Sequence, residues 1–132
     1  MTIKDEDLIN AAKEARENAY CRYSNYSVGA AIIDDQGRLH VGCNVENAAY
    51  NLGNCAEAAA IAAMVQEGGK RISRIAVAGG YSEICSCTPC GGCRQRINEF
   101  ADENTVVIVI DDSNKWQKYP IEALLPASFH LD

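Results

Sequence analysis

A chain of 132 residues has the usual length of one domain, and we predict a single domain over residues 1–132. Hydrophobic residues make up 48% and charged residues 23% of the chain, a balance typical of globular proteins with a core of their own. The formal net charge of −6 provides no attraction to phosphate backbones or anionic lipids, so we expect neither a nucleic acid nor a membrane as partner.

The seven cysteines are the unusual part of the composition, and an odd number cannot pair completely within one chain. Residues 1–7 are polar and acidic, and they lack the basic and apolar segments of a secretory signal. No run approaches the roughly 20 apolar residues of a membrane span. We therefore expect a cytoplasmic protein with reduced thiols, in which clustered cysteines serve more often as metal ligands or catalytic groups than as disulfides.

The first half of the chain predicts a helix, a hairpin and a second helix. Apolar spacing and an acidic first turn predict a helix over residues 5–20. Residues 28–33 and 39–45 predict a β-hairpin around a turn at 34–37. A run of helix-forming residues over 55–67 predicts the second helix. This helix is apolar on nearly all sides, which favours its burial by neighbouring subunits.

The second half of the chain predicts a βαβ unit and a short C-terminal segment. Strands are expected over residues 74–79 and 105–110, with a helix over 90–101 between them. We expect the two strands to be parallel and the connection between them to be right-handed. An edge strand near 116–120 and a short helix over 121–125 follow, so the whole chain predicts a layered α/β domain with a mixed sheet.

Two short motifs begin predicted helices and carry three cysteines. Asn54 and Thr88 are favoured helix N-caps, and they place Cys55 and Cys90 in first helical turns. The helix N-terminus favours the thiolate, which is the form that binds zinc. Cys90 and Cys93 are three residues apart and share a helix face, so they can bind one ion together with Cys55 from a facing helix.

Glu57 follows Cys55 by two residues and is the candidate base. Three protein ligands leave the fourth zinc position to water, and three thiolates reduce the Lewis acidity of the ion, so a carboxylate beside the water is useful. Glu57 also stands three residues after Asn54, the position of a capping-box partner. A structural four-cysteine zinc site is a further alternative, and it would use Cys85, Cys87, Cys90 and Cys93.

Cys-Ala-Glu at one helix start together with Pro-Cys-x-x-Cys at another is the signature of zinc nucleobase deaminases. With these motifs the chain resembles the cytidine deaminase family, in its small three-cysteine branch, from about residue 11 to residue 129. The further matching segments are residues 23–31, 42–50, 90–95 and 124–129.

The resemblance implies a fold, an activity and an assembly. The implied fold is three-layered, α/β/α, with a mixed, largely parallel five-stranded sheet. The implied activity is the zinc-dependent hydrolytic deamination of cytidine and 2′-deoxycytidine to the uridines and ammonia, a reaction of pyrimidine salvage. One Zn²⁺ per subunit and a homotetramer with active sites shared between subunits are also implied.

The resemblance also implies a role for each matching residue. Glu57 is the proton shuttle, and the zinc ligands are Cys55, Cys90 and Cys93. The implied substrate-binding residues are Tyr26, Asn44, Glu46, Tyr50, Ala56 and Phe129. Among them Asn44 and Glu46 bind the ribose hydroxyl and the Ala56 backbone holds the base. Tyr50 lines the site of the neighbouring subunit, and Phe129 stacks on the base from another subunit.

Two positions depart from the family pattern. Ala58 stands where an arginine is common, so we expect the helix termini, Arg94 or Arg96 to offset more of the thiolate charge. Tyr26 stands where phenylalanine is usual, and its hydroxyl needs a partner if it lies near the base.

Two other functions remain open: deamination of a modified cytosine nucleoside or a blasticidin S-type antibiotic, and a non-catalytic structural zinc module.

Overall fold

A computed structural model describes residues 2–111, 113 and 115–131. Four helices, six strands and one 3₁₀ turn form the described part of the chain. In chain order they are α1 (Asp5–Arg16), β1 (Ser27–Asp34), β2 (Leu39–Cys43), the 3₁₀ turn (Tyr50–Leu52), α2 (Ala56–Gln66), β3 (Ile72–Gly80), β4 (Ile84–Cys85), α3 (Gly91–Glu99), β5 (Val106–Ile110), β6 (Trp116–Pro120) and α4 (Ile121–Leu124). Among these residues no helix is both long enough and apolar enough to cross a membrane.

The strands form one mixed sheet in the order β2-β1-β3-β5-β6, with the two-residue strand β4 paired to β3. The predicted hairpin of β1 and β2 and the parallel pairing of β3 with β5 are confirmed. The expectation of a largely parallel sheet needs correction, because the other pairings between described strands are antiparallel. The connections agree with this, since α3 joins β3 to β5 as a crossover whereas a short turn joins β1 to β2.

Helices cover both faces of the sheet, which confirms the three-layer fold. On one face, α1 packs through Leu8, Ile9 and Ala12. On the other face, α2, α3 and α4 pack against the strands and bury the cluster that contains Met64 and Ile97. β5 contributes alternate residues to the two clusters, as expected of a strand buried on both faces.

The close seating of α2 against β2 depends on Gly42. A Cβ atom at this position would collide with the backbone of Ala56 and Ala60 in α2. Glycine therefore allows the helix to approach the strand directly. This close approach fixes the distance between the first turn of α2, which carries Glu57, and the loop that follows β2.

Two helices that carry site residues begin later than the sequence predicts. The N-cap of α2 is Cys55 and the N-cap of α3 is Cys90, both with extended backbone. Asn54 cannot cap α2, because its N–H and carbonyl are paired with Val45 in an isolated β-bridge. Thr88 instead accepts a hydrogen bond from Arg94 through its hydroxyl, at 3.2 Å.

Candidate zinc and substrate site

The N-terminal ends of α2 and α3 bring two cysteines and a glutamate together. The ligand atoms of Cys55, Cys93 and Glu57 all lie within 4.8 Å of one another, and the two sulfur atoms are in contact. Cys93 is fully buried and Glu57 is 4% exposed. Thiolate and carboxylate donors are ligands that zinc accepts, so this donor set fits a zinc ion.

Cys90 lies outside this group in the structure. It caps α3 one turn before Cys93, and its side chain is exposed. The structure thus brings together two of the three predicted zinc ligands with the predicted proton shuttle. It offers no support for the four-cysteine alternative, because Cys93 meets Cys55 of another helix.

Glu57 is a buried residue in the first turn of α2. Because Cys55 is the N-cap, Glu57 is the second residue of α2 and not the capping-box partner of Asn54. Burial raises the pKa of Glu57 above its ordinary value, and the backbone N–H of the same residue and the positive charge of Arg96 oppose that rise. A carboxyl whose pKa moves toward neutrality is suited to both taking up and releasing a proton.

Arg96 is the cation next to the sulfur pair. Its Nη1 atom lies 3.9 Å from the Sγ atoms of both Cys55 and Cys93. Arg94, the other candidate from the sequence, points elsewhere. Its Nε donates to the Pro89 carbonyl at 2.7 Å and its Nη1 to the Leu124 carbonyl at 2.9 Å.

A cleft of about 270 Å³ runs beside the cysteine–glutamate group, and six of the predicted site residues line it. This volume is slightly below the usual range for ligand sites, roughly 300–1,000 Å³, and suits one small molecule. The six residues are Asn44, Glu46, Tyr50, Cys55, Ala56 and Glu57.

Asn44 and Glu46 fix the wall of the cleft through their side chains. The Asn44 Oδ1 accepts from the Val28 N–H at 2.8 Å, and its Nδ2 donates to the Tyr26 carbonyl at 2.8 Å. The Glu46 carboxylate accepts hydrogen bonds from the N–H groups of Tyr23 and Ser24 and from the Ser24 hydroxyl. The Ser24 hydroxyl above all holds the pKa of Glu46 below its ordinary value.

Each of these two side chains keeps hydrogen-bonding capacity for a ligand. A carboxylate offers about four acceptor positions, and Glu46 uses three of them. Asn44 retains one N–H and one lone pair on Oδ1. Asn44 and Glu46 therefore organise the loop that follows β2 and still have capacity to bond a hydroxyl group of a ligand.

Tyr26 lies next to this cleft, against two thiols that the sequence did not connect with it. Its hydroxyl is 3.6 Å from Cys85 Sγ, it also hydrogen bonds to Cys87, and its ring packs edge-on against Tyr81. Cys87 interacts electrostatically with Glu57, which places the thiol near the site. The only sequence signal for Cys85 and Cys87 was their nearness to the Cys90 motif.

The two aromatic residues expected at subunit boundaries are exposed in the single chain. Tyr50 is 80% exposed at the rim of the cleft, with its ring edge-on to that of Tyr23. Phe129 is 69% exposed and does not line the cleft, and its carbonyl accepts a hydrogen bond from Gln95 of α3 at 3.0 Å.

The fold and the site together define a zinc-binding α/β/α domain whose ligand residues begin two facing helices. Comparison with known proteins identifies one family. Residues 2–109 match the family described as the cytidine and deoxycytidylate deaminase zinc-binding region. A cytidine deaminase of Sporosarcina psychrophila is 38% identical over 124 residues, which cover 94% of this chain and 90% of that protein.

The structural relatives agree with the sequence relatives. The crystal structure of cytidine deaminase from Burkholderia pseudomallei has a TM-score of 0.88 and 38% identity, and the match covers 96% of this chain and 100% of that chain. A blasticidin-S deaminase of Bacillus cereus is 31% identical over 132 residues, covering 96% of this chain and 92% of that protein. The chain therefore belongs to the cytidine and deoxycytidylate deaminase family of zinc-binding proteins.

Proposed function

We propose that this protein catalyses the hydrolytic deamination of cytidine and 2′-deoxycytidine to uridine and 2′-deoxyuridine, with release of ammonia. The observation that carries the proposal is the buried carboxyl of Glu57, grouped with two cysteine sulfurs beside a small cleft. Family membership supports the same substrate class.

Glu57 is the residue that moves protons in this proposal. Cys55, Cys90 and Cys93 would hold a zinc ion, which when bound would supply the Lewis acidity that allows water to ionise near neutral pH. The Glu57 carboxylate takes a proton from the water that attacks C4 of the cytosine ring and delivers it to N3. A second proton passes through the same carboxyl to the departing amine, which leaves as ammonia.

Substrate binding is assigned to the wall of the cleft. Asn44 and Glu46 bind a ribose hydroxyl with the donor and acceptor capacity that their loop contacts leave unused. The Ala56 backbone holds the base at the start of α2, and Tyr26 bounds the base region. A site built to bond a hydroxyl rejects compounds that lack it, so free cytosine is a poor substrate.

We also propose a homotetramer in which neighbouring subunits complete each active site. Support comes from the exposed rings of Tyr50 and Phe129, which are 80% and 69% accessible in the single chain. The outer side of α2 adds Ala62 and Val65, which are exposed although apolar. Contact with other subunits would bury this surface and bring Phe129 against a neighbouring base.

The biological setting is proposed from chemistry. A reaction that turns a free cytosine nucleoside into a uracil nucleoside belongs to pyrimidine salvage. A cytoplasmic location suits a chain with seven cysteines whose proposed role requires thiolates, since thiols persist in a reducing compartment. We further propose that residues 1–132 are one domain, because both core clusters share the single sheet.

One assay tests the proposed activity. The purified protein is incubated with cytidine, 2′-deoxycytidine, cytosine and blasticidin S, and loss of ultraviolet absorbance is followed while the same sample is analysed for metal. We expect turnover of both nucleosides, little turnover of cytosine and blasticidin S, and about one zinc per chain. Zinc-loaded protein that is inactive on both nucleosides would overturn the proposal, and preference for blasticidin S would replace it with the antibiotic alternative.

A further inference from the structure

We propose that Arg96 is the residue that compensates the charge of the zinc thiolates in this chain, acting from α3 as a positioning residue. The proposal rests on the zinc site assigned above. Its direct basis is geometric, because Nη1 of Arg96 lies 3.9 Å from Cys55 Sγ and 3.9 Å from Cys93 Sγ. One guanidinium thus contacts sulfur atoms of two different helices.

The charge balance of the site explains why a cation is needed. Three thiolates and one Zn²⁺ leave one negative charge, and the carboxylate of Glu57 adds a second. Cys93 is fully buried and Glu57 is 4% exposed, so water provides little compensation at these atoms. A buried excess of negative charge is costly unless a cation pairs with it. Arg96 supplies that cation.

The local sequence of α3 holds the guanidinium at the sulfurs. Arg96 follows Cys93 by three residues, so the two side chains share a helix face. Gly92 keeps the space open, since a Cβ atom there would lie 3.1 Å from Arg96 Nη1. The helical spacing from Cys93 and the absence of a side chain at Gly92 thus both favour this position of the guanidinium.

The neighbouring arginine has a different task. All three nitrogen groups of Arg94 are engaged by Pro89, Thr88 and Leu124, which ties α3 to the preceding loop and to α4. On α2, the residue after Glu57 is Ala58, which carries no charge. Arg96 is thus the arginine whose nitrogen contacts both sulfurs.

The test separates charge from shape with two variants. Arg96→Met removes the charge and keeps the length of the side chain, whereas Arg96→Lys keeps the charge. The rate of zinc transfer to a chelator is measured at one fixed pH, together with the sulfur-to-metal charge-transfer band of the Co²⁺-substituted protein. Arg71→Met is the control, because Arg71 is an exposed arginine whose Nη1 bonds to the Ala101 carbonyl.

We expect Arg96→Met to lose zinc about tenfold faster than wild type and to shift the Co²⁺ band. Arg96→Lys should stay within about threefold of wild type, and Arg71→Met should match it. Wild-type zinc retention in Arg96→Met, or equal losses in the methionine and lysine variants, would overturn the proposal. Neither readout needs substrate, so inactivity on nucleosides with Arg96-dependent zinc retention would contradict the proposed function alone.

Discussion

The phenolic oxygen of Tyr26 lies 3.6 Å from the sulfur of Cys85, so a tyrosine and a thiol form a hydrogen-bonded pair beside the candidate active site. Burial and hydrogen bonds to Cys87 and Cys85 raise the pKa of Tyr26 above its ordinary value. The hydroxyl therefore stays neutral at physiological pH. It places a polar group between the thiols of Cys85 and Cys87, which phenylalanine would lack.

Tyr26→Phe tests whether this hydroxyl group helps to select the base. We expect the variant to change the ratio of kcat/KM for 5-methylcytidine to that for cytidine by about twofold or more, because loss of the hydroxyl alters the space and polarity beside the thiols. Steady-state kinetics on both substrates measures this ratio. Tyr81→Phe is the matched control, since it removes a hydroxyl from the neighbouring ring. An unchanged ratio in Tyr26→Phe would remove this residue from the base region.

Glu57→Gln tests the proton shuttle and separates an enzyme from a structural zinc module. Glutamine fills the same space but cannot carry a proton, so we expect turnover to fall on the order of 10³-fold or more while zinc content is unchanged. Turnover on cytidine and metal analysis of the same preparation give the result. Glu67→Gln, at the other end of α2, should behave as wild type. Appreciable turnover in Glu57→Gln would rule out the assigned role.

The layers of the fold could be predicted from the sequence, because the local pattern of apolar residues shows which faces of each helix and strand are buried. β5 is a continuous run of β-branched residues, and it lies between the two core clusters as its sequence requires. The start of α2 could not be predicted in the same way. Asn54 has the right chemistry for a cap, but its backbone pairs with Val45, nine residues earlier, and this pairing takes precedence.

In the site, too, some contacts could be predicted from the sequence and others could not. The two motifs at helix starts led to the prediction that Cys55, Glu57 and Cys93 meet, and the structure brings these three together while leaving Cys90 outside the group. The contact of Arg96 with Cys55 spans 41 residues, and that of Tyr26 with Cys85 spans 59. No local period encodes such contacts, since they depend on how α3 and the β4 segment pack in three dimensions.

Ala58→Arg tests whether a second cation near the zinc thiolates changes the properties of the site. An added guanidinium on the first turn of α2 should fold normally, because arginine is a good helix former and Ala58 is only partly buried. We expect a change of about threefold or more in turnover or in the rate of zinc loss, owing to the extra positive charge near the thiolates. Ala123→Arg on α4 is the control. Kinetics and zinc content equal to wild type would show that position 58 has no effect on the site.

Ala62→Lys tests the proposed assembly. We expect wild-type protein to sediment as a species of four 14.3 kDa chains and Ala62→Lys to shift to smaller species, because a lysine on the exposed side of α2 places charge in an apolar interface. Analytical ultracentrifugation measures both. Glu14→Lys, exposed on α1, should leave the assembly intact. A monomeric wild-type protein would contradict the tetramer and the subunit-shared site together.

The buried pair of Asp34 and His40 makes a prediction about stability that is independent of the active site. The Asp34 carboxylate lies 2.8 Å from His40 Nε2 and also accepts hydrogen bonds from the backbone N–H groups of Gln36 and Arg38 and from the Arg38 side chain. Burial alone would raise the pKa of Asp34, but these bonds outweigh it and bring the pKa down to about 2.

Because the pKa of Asp34 is lower in the folded state, its charge stabilises the fold above the ordinary pKa near 3.8, and this contribution is lost as the pH falls toward about 2. Asp34→Asn should therefore reduce the free energy of unfolding at pH 7 by about 2 kcal/mol and flatten its decline between about pH 4 and pH 2. Urea unfolding across this range measures both effects, with Glu103→Gln as an exposed control. An acid limb of unchanged slope in Asp34→Asn would mean that other carboxyls govern the acid sensitivity of the fold.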